Sequence, residues 1–146
     1  MEHIRQANSD DIWRIAEIIV TNYRANFYPF FRDDEYYFCE LNVRDTAAEF
    51  AECLSRTFVY DDGIIKGVLK MNGCEIEKLF IEPAFQNGGI GAKLLNFAVC
   101  DQGGQFLWVL EYNSRAAEFY KRNGFRFTGE KMVEDEIVHL LKMAKT

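Results

Sequence analysis

Along the chain, Ile12, Ile15, Ile18 and Ile19 recur at the spacing of one helical face. Asn8 or Ser9 just upstream can cap that helix, and residues 3–7 read as a short strand ahead of it. A second helical pattern covers 47–54. Three strand-like runs follow at 57–60, 64–71 and 75–81, separated by Asp61-Asp62-Gly63 and Asn72-Gly73, both of which suit hairpin turns. Pro83 ends the third run, and Ile90, Leu94, Leu95, Ala98 and Val99 then mark a helix that stops near Gly103-Gly104. Residues 105–110 form a buried strand. Asn113 caps a helix over 113–123 that Gly124 terminates, and 125–132 with 137–143 close the chain as two strands. The pattern is that of a mixed α/β (α+β) protein, with an antiparallel first half and a strand-helix-strand-helix segment from 75 to 124.

No linker or repeat interrupts this order, and 146 residues that are 49% hydrophobic suffice for one domain, 1–146, around a contiguous core. With 17 basic against 23 acidic residues the net charge is −6, which argues against a nucleic-acid partner and suits a positively charged small substrate. The N-terminus is too polar for a secretory signal, and no apolar run approaches the ~20 residues of a membrane span, so a cytoplasmic protein without a membrane partner is expected. Cys39, Cys53, Cys74 and Cys100 lack C-x-x-C spacing and only His3 and His139 could join them. Reduced, mostly buried thiols and no metal are expected.

The most informative stretch is Gln86-Asn87-Gly88-Gly89-Ile90-Gly91-Ala92, which follows a strand and runs directly into a helix. Helix N-termini present unpartnered N–H groups and a positive dipole, and glycines let a phosphate approach them. A third glycine of the dinucleotide fingerprint is absent at Leu94, and the Gly-Lys-Ser/Thr of a P-loop is absent at Gly91-Ala92-Lys93. What is present, Gln86-x-x-Gly89-x-Gly91, resembles the Q/R-x-x-G-x-G/A pyrophosphate signature of the GNAT acyltransferases. Lys78-Leu79-Phe80-Ile81 upstream and Asn113 with Ala116-Ala117-Glu118-Phe119-Tyr120-Lys121-Arg122-Asn123-Gly124-Phe125 downstream extend the resemblance over about residues 75–130. Where many members have glycine after the Gln/Arg, this chain has Asn87, with Gly88 next.

The resemblance implies a mostly antiparallel mixed sheet of about six to seven strands flanked by about four helices, and an N-acetyltransferase that moves acetyl from acetyl-coenzyme A to a primary amine. It implies donor binding by Leu79, Phe80, Ile81, Gln86, Asn87, Gly88, Gly89, Ile90, Gly91, Ala92, Asn113, Ala116 and Tyr120, and Tyr120 as proton donor to the leaving thiolate. Helical spacing does place Asn113, Ala116, Ala117 and Tyr120 on one face. In 74–81 the apolar alternation changes parity between Ile76 and Leu79, which predicts a bulge. Glu75 and Glu77 share the polar face before it and are candidate bases, with Glu111 a further one. The aromatic run 27–38, around Asp33-Asp34-Glu35, corresponds to the segment that roofs the acceptor, though its rings equally suit a core. The amine can be a small molecule or part of a protein. A non-catalytic acetyl-coenzyme A binder, a longer-chain acyl donor, an interaction module and a homodimer paired through the terminal strands stay open.

Overall fold

A computed structural model describes residues 2–146. Ile4–Gln6 (β1) leads through a 3₁₀ turn into Ile12–Asn26 (α1). Asn8 makes a reciprocal capping box with Asp11 at that turn. Tyr28–Phe31 (α2) is a single turn, a wide π-type turn spans Tyr36–Glu40, and Val43–Ala51 (α3) follows. Helix α3 begins four residues before the sequence pattern does because Asn42 accepts a hydrogen bond from the Asp45 amide, and Leu54 falls in a separate 3₁₀ turn. Thr57–Asp61 (β2), Ile65–Asn72 (β3), Glu75–Ile81 (β4), Ile90–Cys100 (α4), Phe106–Leu110 (β5), Ser114–Arg122 (α5), Phe125–Glu134 (β6) and Val138–Lys145 (β7) complete the chain.

The strands form one sheet in the order β1-β2-β3-β4-β5-β7-β6. Every neighbouring pair is antiparallel except β4 with β5. Alternation along the strands feeds two separate cores. Ile15, Ile18 and Ile19 of α1 and Phe50 of α3 cover Val59 and Val68 on one face. Leu94, Leu95 and Ala98 of α4 and Ala117 and Tyr120 of α5 cover Leu69, Met71, Ile76, Leu107, Val109 and Met143 on the other. The cysteines depart from expectation: all are free, but Cys53 is the buried one, while Cys39, Cys74 and Cys100 sit at turns or a helix end and are exposed.

Helix α4 approaches the sheet where β3 has no side chain. A Cβ on Gly67 would stand 2.7 Å from Leu94 Cδ1 and 2.8 Å from Ile81 Cδ1. That close approach fixes the height of α4, and with it the loop that opens the helix, above the end of β4. Gly67→Val is expected to lower stability by about 1–3 kcal/mol through overpacking, read from urea denaturation. An unchanged midpoint would show that α4 can be lifted without loss.

Candidate functional site

The site begins with a break in pairing. Strands β4 and β5 share one register pair, Glu75 with Phe106, and then part. Against β3, Lys70 pairs with Lys78 and Met71 with Ile76, so Glu77 is the extra residue of a β-bulge. The bulge resets the alternation: Ile76, Leu79 and Ile81 all belong to the α4/α5 face, while Phe80 packs on the α1 face. Between the parted strands lies a cleft of about 530 Å³ that runs from one face of the sheet to the other. Asn22, Asn26 and Phe27 of the α1 side line it, as do Ala116, Phe119 and Tyr120 of α5.

The loop 86–92 bounds one mouth. Gly89 precedes α4 at φ +88° and Asn87 stands at φ +69°, so the position where glycine is common in the resembling family requires the left-handed conformation that asparagine tolerates best after glycine. The first helical bond of α4 runs from the Lys93 amide to Gly89 O, and no side chain caps the amides before it. Helices α3 and α5, by contrast, are capped by Asn42 and Asn113. Phe119 lies against Gly91, 3.3 Å from where a Cβ would be, which locks α5 to the start of α4. Of the residues expected to bind the donor, Leu79, Phe80, Ile81, Gln86, Asn87, Gly89, Gly91, Ala92, Asn113, Ala116 and Tyr120 line the cleft. Gly88 and Ile90 do not, although Ile90 contributes an uncapped amide.

Tyr120 is buried to 9% exposure and reaches the cleft. Burial alone raises the phenol's pKa well above its ordinary value. Asn113 spends its side-chain oxygen on the Ala116 amide, 3.1 Å away. Glu77 lines the cleft, and its Oε2 accepts from Arg56 at 2.8 Å with Lys70 at 3.5 Å. Glu75 sits where the strands still pair, outside the cleft lining. Burial, and then the charge of Glu77, raise its pKa. Glu111 is also outside the lining. The acidic triplet turns to local contacts: Asp33 accepts from the Tyr36 amide and Asp34 from the Tyr28 hydroxyl. Phe27 is the member of the aromatic run 27–38 that lines the cleft.

Two parts of the lining make contacts that the motifs did not indicate. Asn22, 2% exposed, donates to Ile18 O and Ile81 O, and its side-chain oxygen stands 3.4 Å from both Asn26 Nδ2 and Gln86 Nε2. Gln86 Nε2 also donates to Ile81 O at 3.1 Å. This amide cluster ties α1 and the loop to the end of β4. Its signal was an asparagine continuing the apolar face of α1. The other is Lys78, whose Nζ donates to the Tyr23 hydroxyl at 2.5 Å. Burial weighs against the ammonium, but Tyr23, and at longer range Glu49 and Glu77, more than offset it and raise its pKa. Among the described residues no group of three or more His, Cys, Asp or Glu is placed to hold a metal, and no helix is long and apolar enough to cross a membrane.

The Acetyltransferase (GNAT) domain family matches residues 53–127. The peptidyl-lysine N-acetyltransferase YjaB of Salmonella typhimurium is 36% identical over 69 residues, 47% of this chain and 48% of that protein. The chain thus spans about half the length of the curated relatives it matches, or less. The apo-form YjaB of Escherichia coli superposes with a TM-score of 0.76 at 23% identity, covering 98% of this chain and 96% of that one. The PaiA N-acetyltransferase of Thermoplasma acidophilum, solved with coenzyme A, does so at 0.73 and 20% identity, covering 95% and 96%.

The loop geometry carries its own test. Gly89→Ala forces an L side chain into a left-handed position and is expected to lower stability by about 1–2 kcal/mol, whereas Asn87→Gly should stay within about 0.5 kcal/mol of the parent. Urea denaturation reads both, and equal losses would mean that the loop does not hold this conformation.

Proposed function

Because the chain belongs to the GNAT acetyltransferase family, we propose that it transfers the acetyl group of acetyl-coenzyme A to a primary amine. The observation that carries this reading is the through-sheet cleft between β4 and β5, with the glycine loop at one mouth and α1 at the other. The uncapped amides of Ile90, Gly91 and Ala92, with Arg115 and Arg122 also on the lining, suit a pyrophosphate. The edge of β4 over Leu79, Phe80 and Ile81 has no strand partner toward β5 and, apart from Ile81 O, which Asn22 and Gln86 already bond, offers amides and carbonyls to an extended arm such as pantetheine. Ala116 leaves room beside it. The coenzyme A bound by the Thermoplasma acidophilum protein of the same fold supports this donor.

In this reading the amine enters from the α1 side and its nitrogen attacks the acetyl carbonyl carbon. The C–N bond forms as the C–S bond breaks, so the nitrogen loses one proton and the sulfur gains one. An amide of the β4 edge holds the carbonyl oxygen as charge develops on it. Tyr120 supplies the sulfur's proton and recovers it from solvent. Glu77 is the lining carboxylate, and its Oε1, free of the Arg56 and Lys70 contacts, takes the nitrogen's proton directly or through water. Glu75, with its raised pKa, stands two residues behind it.

A thermal-shift measurement tests the donor half: coenzyme A at ~100 times its Kd should stabilise the fold by roughly 2.7 kcal/mol, and no shift would sink the reading. Tyr120→Phe should lower kcat about 10²- to 10⁴-fold with little change in acetyl-coenzyme A affinity. Since the phenol's pKa is raised, the acid is present below that pKa and is lost only as pH rises through it. The wild-type kcat should therefore show no descending limb below about pH 10. A limb near pH 8–9 that persists in Tyr120→Phe would belong to another group, and an unchanged kcat in Tyr120→Phe would remove Tyr120 from this role.

A further inference from the structure

The α1 end of the cleft carries a charge with no direct ion-pair partner. Lys78 is half-buried on the lining, held by its hydrogen bond to Tyr23 and lying 5.1 Å from that ring's centre. Among the described residues no carboxylate lies within 4 Å of its ammonium. The two nearest in effect, Glu49 and Glu77, stand with other cations: Glu77 with Arg56 and Lys70, Glu49 with Lys70 at 3.7 Å. The acidic residues 33–35 of the aromatic run are absent from the lining. Tyr23, on which Lys78 rests, packs against Phe27 and Phe80.

A partly desolvated cation of this kind is stabilised by an anion brought to it, and a cleft so lined repels a second cation. We propose that the acceptor carries an anionic group beside its amine, a carboxylate as in an amino acid, and that Lys78 binds that group while the amine reaches the acetyl carbon. This rests on the acetyl-transfer reading. The lysine is well placed for this, since it follows the bulge residue Glu77 and precedes Leu79, so the anion anchor and the carboxylate that receives the amine's proton flank one peptide unit. An amine held between them arrives with its charge matched at both ends.

The experiment compares amino acids with their carboxamides and with the corresponding decarboxylated amines, together with a peptide presenting one internal lysine, by thiol release from acetyl-coenzyme A. The carboxylate form should exceed its amide in kcat/KM by about tenfold to a hundredfold, the range for a charge-assisted hydrogen bond. Lys78→Met should collapse that ratio toward one, chiefly through KM, and Lys78→Arg should largely keep it. Melting curves confirm that both variants fold, and Lys78→Gln serves if Met does not. Equal rates for acid and amide, a preference that survives in Lys78→Met, or turnover confined to the internal lysine would each overturn this proposal and leave acetyl transfer standing. Coenzyme A binding with no thiol release from any amine would overturn acetyl transfer, and this proposal with it.

Discussion

Two parallel strands that share one register pair and then separate leave peptide groups without strand partners in the middle of a sheet. Buried amides and carbonyls seldom stay unpartnered, so such a break persists only where water or a ligand completes the bonding. Everything else about the site depends on this parting. The bulge at Glu77 turns Leu79 and Ile81 into the α4/α5 core and Phe80 toward α1, so the parted edge is held rigidly on both sides. Without the bulge, a strand that alternates Ile76 on one face would put Leu79 and Ile81 on the other.

The mouths of the cleft are then set by two close approaches. Gly67 lets α4 settle on β3, and Gly91 receives the ring of Phe119, so α4 and α5 pack as one wall. On the opposite side, the Asn22 amide bonds Ile81 O and meets Gln86, which links α1 to the loop through a buried polar contact. Such networks are specific because each member left unpaired is costly. Asn22 and Gln86 therefore position the loop relative to the β4 edge from the side away from the helices that carry the glycines and Tyr120.

Much of this is legible in the sequence, for identifiable reasons. Strand β4 and its bulge can be read because side-chain parity along a strand is a hard constraint, and the loop because positive φ at Gly89 and the close contact at Gly91 select glycine. Helix α3 reads too late because its first turn, Val43 to Thr46, is started by the Asn42 cap and not by apolar periodicity. Residues 27–42 resist reading since a one-turn helix and a π-type turn have no repeat long enough to register. Asn22 and Lys78 do not stand out as site residues because their significance lies in long-range neighbours, Ile81 and Tyr23, that no local pattern reveals.

The charge of the whole chain and the charge of the cleft point in opposite directions, and the difference is instructive. A net of −6 describes the field at a distance, which salt screens within about 10 Å. Inside the cleft, Lys78, Arg115 and Arg122 face a single lining carboxylate, Glu77, which Arg56 and Lys70 already attend. Arg115 and Arg122 lie on α5, and Arg115 reaches Asn87 of the glycine loop, but Lys78 lies on the face of β4 that meets α1, against Tyr23. No carboxylate among the described residues lies within 4 Å of the lysine's ammonium, and Glu49 and Glu77 act on it only at longer range. Charge at short range follows such local arrangements, so an acidic composition does not by itself describe the inner end of the cleft, where one lysine and the tyrosine that holds it stand.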